Sequence, residues 1–233
     1  MKTTVFVDFN GIPGCGKSTI CKKTIRKLEE NKLTVRFLQD DIKRYSLKKI
    51  MMPFLILHET LQGGGGIVIK YIKLYNSLPK KTRQKEKVIF EALKNYMLAR
   101  KITRECDADY VFSDQCIIQN LLSCFHDQKI ENMSIIRDII EQVLVDFEEF
   151  IRVDVNVDIE VSKSRIIERN AKGGRLDRID KQCLLPILSI QKENLKKIRL
   201  CGSGMKSLAI NSYNEADKNA EYIVESVLSN NQG

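Results

Sequence analysis

Short apolar runs alternate along the chain with longer segments whose apolar residues recur at helical spacing. The short runs are rich in β-branched and aromatic residues, a pattern that predicts buried strands, and they fall at 3–9, 33–38, 109–113, 152–158 and 206–211. The periodic segments predict helices at 17–31, 42–60 with an interruption at Pro53, 83–105, 116–125, 133–149, 160–170, 181–198 and 215–229. Four consecutive glycines, Gly63–Gly66, predict a break with a mobile loop between helical pieces.

Strands that alternate with helices predict a three-layer α/β fold, with about five parallel strands and helices on both faces of the sheet. We expect one domain over residues 1–233, in which residues 42–105 form a helical insert on the substrate side. Ligands of such sheets bind at the carboxyl ends of the strands. Functional residues are therefore expected directly after each strand.

The segment after the first strand, GIPGCGKS at 11–18, matches the phosphate-binding loop pattern G-x-x-x-x-G-K-[ST] at every fixed position. The glycines allow the loop amides to converge on an anion, and the following helix adds its positive dipole end. The loop predicts a nucleotide site formed by Gly11, Pro13, Gly14, Cys15, Gly16, Lys17, Ser18 and Thr19. We expect Lys17 to contact the β- and γ-phosphates of ATP and the Ser18 hydroxyl to bind Mg²⁺.

Acidic residues end the second and third predicted strands. Asp40 or Asp41 could accept the proton of an attacking hydroxyl or hold the acceptor, and Asp114 could contact the substrate and bind Mg²⁺. Aspartate is also a preferred helix N-cap, and capping of the following helix remains the alternative for each of these residues.

An arginine-rich segment around a Gly173-Gly174 hinge predicts a lid over residues 165–180. Arginine is suited to stabilise charge on a transferred phosphoryl group, and Arg169, Arg175 and Arg178 are the candidates. The alternative is a solvated helix face whose arginines pair with nearby carboxylates.

Composition narrows the class of protein. The chain has 233 residues, 43% of them hydrophobic and 30% charged, without an apolar stretch long enough to span a membrane or a secretory signal, so we expect a cytoplasmic protein without membrane contact. The seven cysteines are scattered and predict free thiols rather than a zinc site. The net charge of +9 suits either nucleic acid or a small anionic ligand, because the basic residues are spread along the chain.

Taken in order, these segments resemble the P-loop kinases of the thymidylate kinase and deoxynucleoside kinase group over nearly the whole chain. The segments most specific to this group of kinases are NYMLARKITRECDADYVFSDQCIIQNLLS and VDVNVDIEVSKSRIIERNAKGGRLDRID. The resemblance implies that Arg100 or Arg104 faces the substrate, and that the loop with Asn211 and Tyr213 lines the adenine pocket. Kinases of this group carry an Asp-Arg pair after the third strand, and this chain has Asp114-Gln115 at that position. An arginine contact to the substrate is therefore missing or supplied from elsewhere.

The predicted activity is transfer of the γ-phosphoryl group of ATP, with Mg²⁺, to a small acceptor such as a nucleoside or nucleoside monophosphate. QDDIKRY at 39–45 is also similar to a motif of polynucleotide 5′-kinases and zeta-toxin-like kinases, so a nucleic-acid end or another metabolite remains an alternative acceptor. An ATP-binding switch without turnover is the non-enzyme alternative. The sequence leaves a homodimer open.

Overall fold

A computed structural model describes residues 3–46, 51–78, 81–169, 176, 179–202 and 204–229. Five parallel strands form one sheet in the order β2-β3-β1-β4-β5. The strands are β1 (Val5–Asn10), β2 (Val35–Phe37), β3 (Tyr110–Ser113), β4 (Glu149–Asn156) and β5 (Lys206–Asn211). Both the number of strands and their parallel direction confirm the prediction.

Helices connect the strands and cover the sheet. Helix α1 (Lys17–Glu30) follows β1, and the stretch between β2 and β3 contains α2 (Leu38–Ser46), α3 (Met51–Glu59), α4 (Gly65–Ser77) and α5 (Arg83–Glu105). The later helices are α6 (Ile117–Cys124), α7 (Ser134–Asp146), α8 (Ile159–Glu168), α9 (Leu184–Arg199) and α10 (Ala216–Ser229). Among the described helices, none combines the length and the apolar character that crossing a membrane requires.

The position of each strand in the sheet explains its burial. β1 and β3 lie inside the sheet and are buried throughout, whereas the edge strands β2 and β5 are half-buried or largely exposed. Aromatic rings extend the core from the sheet to the helices, since the ring centroid of Phe6 lies 4.8 Å from that of Phe147, which in turn meets Tyr96 at 5.8 Å. This packing holds β1, and with it the loop that follows β1.

Several predicted boundaries were wrong. The second strand ends at Phe37, and α2 begins at once with Leu38, which is fully buried. The fourth strand begins at Glu149 rather than at residue 152. The predicted break between helical pieces at the glycines is confirmed, since the backbone between α3 and α4 leaves helical geometry at Gln62 and at Gly63, where φ is 92°. Pro53 lies within the first turn of α3, where a missing amide hydrogen costs no helical hydrogen bond.

Candidate active site

The loop of residues 11–18 joins the end of β1 to the start of α1, as predicted. Gly14 and Gly16 have φ values of 80° and 92°, a region in which side chains with a Cβ are strained. Gly16 precedes α1, and no side chain among the described residues caps this helix. The amide groups of its first turn are therefore suited to an anion, which the helix dipole also favours.

Gly11 is required for a steric reason rather than for its φ angle. A Cβ added at Gly11 would lie 2.6 Å from Cys15 Sγ and 2.6 Å from the carbonyl oxygen of Val155 in β4. Since the backbone of β4 cannot withdraw without disturbing the sheet, the loop itself would have to move.

We expect Gly11→Ala to weaken ATP binding about tenfold or more, since overpacking of this kind costs about 1–3 kcal/mol. Isothermal titration with ATP measures the effect. Gly204→Ala is the matched control, because an added Cβ there meets no described atom within 4 Å. Equal ATP affinity of the two variants would contradict the steric role of Gly11.

Lys17 and Ser18 have different environments at the mouth of the loop. The ammonium group of Lys17 is buried and donates to the carbonyl oxygens of Gly11 at 2.8 Å and Ile12 at 3.3 Å. Ser18 and Thr19 are exposed on the first turn of α1. Lys17 is thus held within the loop, while the two hydroxyl groups are accessible at its mouth.

A cavity of about 340 Å³ opens in front of the loop. Its walls come from the loop and α1, from α6 and the residues on either side of it, and from the segments around α8 and α9. They are formed by Pro13, Gly14, Gly16, Lys17, Ser18, Thr19, Gln115, Gln119, Ser123, His126, Ile166, Arg169, Leu176 and Gln191. The loop lysine therefore faces a polar wall supplied by α6.

A second cavity, of about 430 Å³, lies on the other side of the loop. It is lined by loop residues, by Arg165 and Arg169, and by Ser212, Tyr213 and Asn214 after β5. Asn211 is the last residue of β5, and its side-chain oxygen accepts a hydrogen bond from the amide of Tyr213 at 3.1 Å. Tyr213 thus lines the predicted adenine side, while Asn211 shapes the turn that carries it.

Arg165 joins the two sides of this second cavity. Its guanidinium donates to the Gly14 carbonyl oxygen at 3.4 Å and to both the hydroxyl and the carbonyl oxygen of Ser212 at 3.2 Å. We did not predict a site role for Arg165, although it falls in the arginine-rich segment. Arg169 lines both cavities, whereas Arg175 and Arg178, with half of the predicted lid, lie outside the described residues.

Asp114 follows β3 directly and is buried. Its Oδ1 atom has no hydrogen-bond partner in the part of the chain that the structure describes. Carboxylate and hydroxyl oxygens are the ligands that Mg²⁺ prefers, and the ion usually takes only one or two protein carboxylates and keeps several waters. The unpaired oxygen of Asp114 and the exposed hydroxyl of Ser18 are thus of the right chemistry for the ion.

Asp8 is a buried acid that the sequence analysis overlooked. It lies in β1, in register with Ser113 of β3, and its Oδ2 accepts hydrogen bonds from the amides of Ile117 at 3.2 Å and Ile118 at 3.3 Å. Burial raises the pKa of Asp8 to about 7; these amides oppose the shift, and the charge of Asp114 adds to it. A carboxyl group within a strand gives no sequence signal other than its interruption of an apolar run.

Asp40 and Asp41 do not take the predicted positions after the second strand. Because α2 begins at Leu38, both lie in its first turn. Asp41 is 4% exposed and accepts two hydrogen bonds from Arg36, each of 2.7 Å, so its carboxylate is already bound. Asp40 is exposed and lies 3.6 Å from the Lys43 ammonium. Neither aspartate is part of the described wall of the cavity in front of Lys17.

Arg100 and Arg104 are also far from the predicted substrate position. Helix α5 ends just before β3 begins, so these arginines, in its last turns, lie at the amino end of the sheet. They line a separate cavity with Thr3 and Thr4, which precede β1. Both donate to the buried carboxylate of Glu59 at 2.9 Å. Burial alone would raise the pKa of Glu59, but the hydrogen bonds from Arg104 and the charge of Arg100 hold it below its usual value.

Comparison with known proteins agrees with this architecture. The sequence matches no protein-family model and no curated protein at a significant level. Solved structures do match over nearly the whole chain. A deoxyadenosine kinase from M. mycoides, with dCMP and dCDP bound, has a TM-score of 0.53 and 13% identity and covers 97% of this chain and 99% of its own.

Two further structures show the same likeness. The YorR protein of Bacillus subtilis, in complex with phosphorylated GDP, has a TM-score of 0.51 and 16% identity over 98% of this chain and 99% of its own. Shikimate kinase from Acinetobacter baumannii, in complex with shikimate, has a TM-score of 0.52 and 15% identity over 98% of this chain and 96% of its own. The chain therefore has the fold of these proteins, two of which are a nucleoside kinase and a small-metabolite kinase.

Proposed function

We propose that this protein is an ATP-dependent phosphotransferase that moves the γ-phosphoryl group to a small acceptor, a nucleoside or nucleoside monophosphate in the first instance. The observation that carries the proposal is the phosphate loop, whose Lys17 and Ser18 open onto a cavity walled on its far side by α6. The kinase fold supports the same reaction class. In the related structures the bound molecules are nucleotides or shikimate, all of them small.

In this proposal one cavity binds the adenosine part of ATP and the other binds the acceptor. The cavity lined by Tyr213 and Arg165 receives the adenosine part of ATP, and the triphosphate runs across the loop past Lys17. The acceptor lies in the cavity beside α6. Its hydroxyl or phosphate oxygen attacks the γ-phosphorus, the bond between the γ-phosphorus and the bridging oxygen breaks, and ADP leaves. A hydroxyl acceptor releases its proton to water in the same reaction.

The residues around the γ-phosphate stabilise charge in the transition state. Lys17, the loop amides and Arg169 supply positive charge or hydrogen bonds to the phosphoryl oxygens. Ser18 and Asp114 would hold Mg²⁺, which when bound neutralises the phosphates. Asp41 is not retained as a base because Arg36 occupies its carboxylate. A lid role for Arg175 and Arg178, and an acceptor contact of Asp40, remain predictions from the sequence.

Labelled ATP and a panel of nucleosides, nucleoside monophosphates and 5′-hydroxyl oligonucleotides test the proposal. We expect label in at least one small acceptor, only with Mg²⁺ present, and none in oligonucleotides. Label in oligonucleotides would favour the polynucleotide kinase alternative. ATP binding without transfer to any acceptor would favour a nucleotide-binding switch and would overturn the proposal.

A further inference from the structure

The wall of the cavity opposite Lys17 comes from one face of α6 and its flanks. Gln115, Gln119 and Ser123 are spaced four residues apart, and all three line this cavity together with Lys17 and Ser18. Gln119 and Ser123 lie above one another on α6, and Gln115, two residues before the helix begins, continues this polar strip along the cavity wall. The strip carries two amides and one hydroxyl, and none of these groups is charged.

The permanently positive side chains in the described walls of this cavity belong to the donor side. Within the described walls, the lysine and arginine side chains are Lys17 of the phosphate loop and Arg169, which also lines the cavity beside Tyr213. Both are placed for the phosphates of ATP. An acceptor that carries its own phosphate needs further positive charge, for which the fork of an arginine is best suited. At the position after Asp114 the chain has Gln115 instead.

A buried oxygen atom of α6 also disfavours an acceptor phosphate. Gln119 lines the cavity, and its Oε1 atom is buried and accepts no hydrogen bond from any described residue. A buried carbonyl oxygen without a donor is costly, and a ligand that donates a hydrogen bond relieves this cost. Hydroxyl and amine groups are donors, whereas a phosphate dianion offers only acceptors.

We infer that the acceptor is an uncharged hydroxyl compound rather than a monophosphate, and that Gln115 and Gln119 select it. This inference rests on the proposed function, because it assigns the acceptor of that same site. Gln119 accepts a hydrogen bond from the ligand. Gln115 is neutral and does not supply the positive charge that would hold an acceptor phosphate.

Matched pairs of acceptors test the inference. Deoxynucleosides, ribonucleosides and neutral polyols are each compared with their own monophosphates, with ATP and Mg²⁺ at saturation. We expect kcat/KM to be at least about 100-fold higher for the neutral member of the preferred pair, because a site built for a hydroxyl group discriminates strongly. Equal or higher kcat/KM for the monophosphate would overturn the inference and leave the proposed function intact. Transfer to no member of the panel would overturn both.

Two variants test the residues. Gln115 is exposed, so Gln115→Arg should be tolerated, and we expect it to shift the kcat/KM ratio toward the monophosphate by at least about tenfold. Gln119→Leu should raise the KM of the neutral acceptor about tenfold and leave the KM of ATP unchanged. Gln84→Leu, at an exposed position on α5, is the control for the loss of a glutamine. An unchanged ratio in Gln115→Arg would overturn the assignment even if Gln119→Leu failed to fold.

Discussion

Lys17→Met should lower kcat for phosphoryl transfer by about 100- to 1,000-fold, since loss of a single electrostatic contact to a reacting group commonly has an effect of this size. Methionine keeps the length and the apolar stem of lysine, so the variant removes the ammonium charge with little change in packing. The hydrogen bonds from Lys17 to the carbonyl oxygens of Gly11 and Ile12 are lost as well.

The measurement is single-turnover transfer of labelled phosphate from ATP to the preferred acceptor. Lys22→Met provides the control, because Lys22 lies on the exposed face of the same helix. We expect the control to keep full activity. If Lys17→Met kept it too, the phosphate loop would not act in catalysis, and the proposed function would have to be abandoned.

The donor side of this site could be predicted from the sequence because its signal is local. A buried strand, eight residues with fixed glycines and the start of a helix are contiguous at positions 5–18, and each requirement can be stated from backbone geometry. The fifth strand was predicted at 206–211 and is found there, since its apolar run is bounded on both sides by turn residues.

The acceptor side could not be predicted in the same way, because it depends on contacts between distant segments. Helical spacing shows which residues of α5 share a face, but not which end of the helix meets the carboxyl ends of the strands. Arg100 and Arg104 therefore looked suitable, although the fold pairs them with Glu59, more than 40 residues earlier in the chain. The ion pair of Arg36 and Asp41 is local, but it depends on where β2 ends and α2 begins, and that boundary was predicted wrongly.

The burial of charged residues inside a strand also could not be predicted from the pattern of apolar and polar residues. Arg152 and Asp154 lie within β4, where alternation of apolar and polar residues would predict an exposed face, yet both are buried. Arg152 Nε donates to Asp154 Oδ2 at 3.2 Å, and Arg199 of α9 lies 3.1 Å from Asp154 Oδ1. Pairing with Arg199 of α9 thus lets β4 bury charged residues.

Asp8→Asn should make the protein more stable at pH 8 and change its stability little below pH 4. The pKa of Asp8 is raised by burial to about 7 from an ordinary value of 3.8. Between these two values the folded chain holds a proton that the unfolded chain has lost, so the wild-type free energy of unfolding falls as pH rises through this window. A shift of about three pKa units corresponds to about 4 kcal/mol, which is present below pH 3.8 and lost above pH 7.

Asparagine has the shape of aspartate and can still accept the amide hydrogen bonds of Ile117 and Ile118, but it carries no charge to bury. Urea unfolding of wild type and Asp8→Asn at pH 4, 6 and 8 gives the difference in the free energy of unfolding between the two proteins at each pH. The titration of all groups that behave alike in both proteins cancels in this difference. We expect this difference to grow with pH in favour of the variant, to about 4 kcal/mol at pH 8. Asp107→Asn, at an exposed position, should show no such trend. A difference that stayed constant from pH 4 to pH 8 would mean that Asp8 ionises in the folded protein as readily as in the unfolded chain, and that the amides at the start of α6 fully offset the cost of its burial.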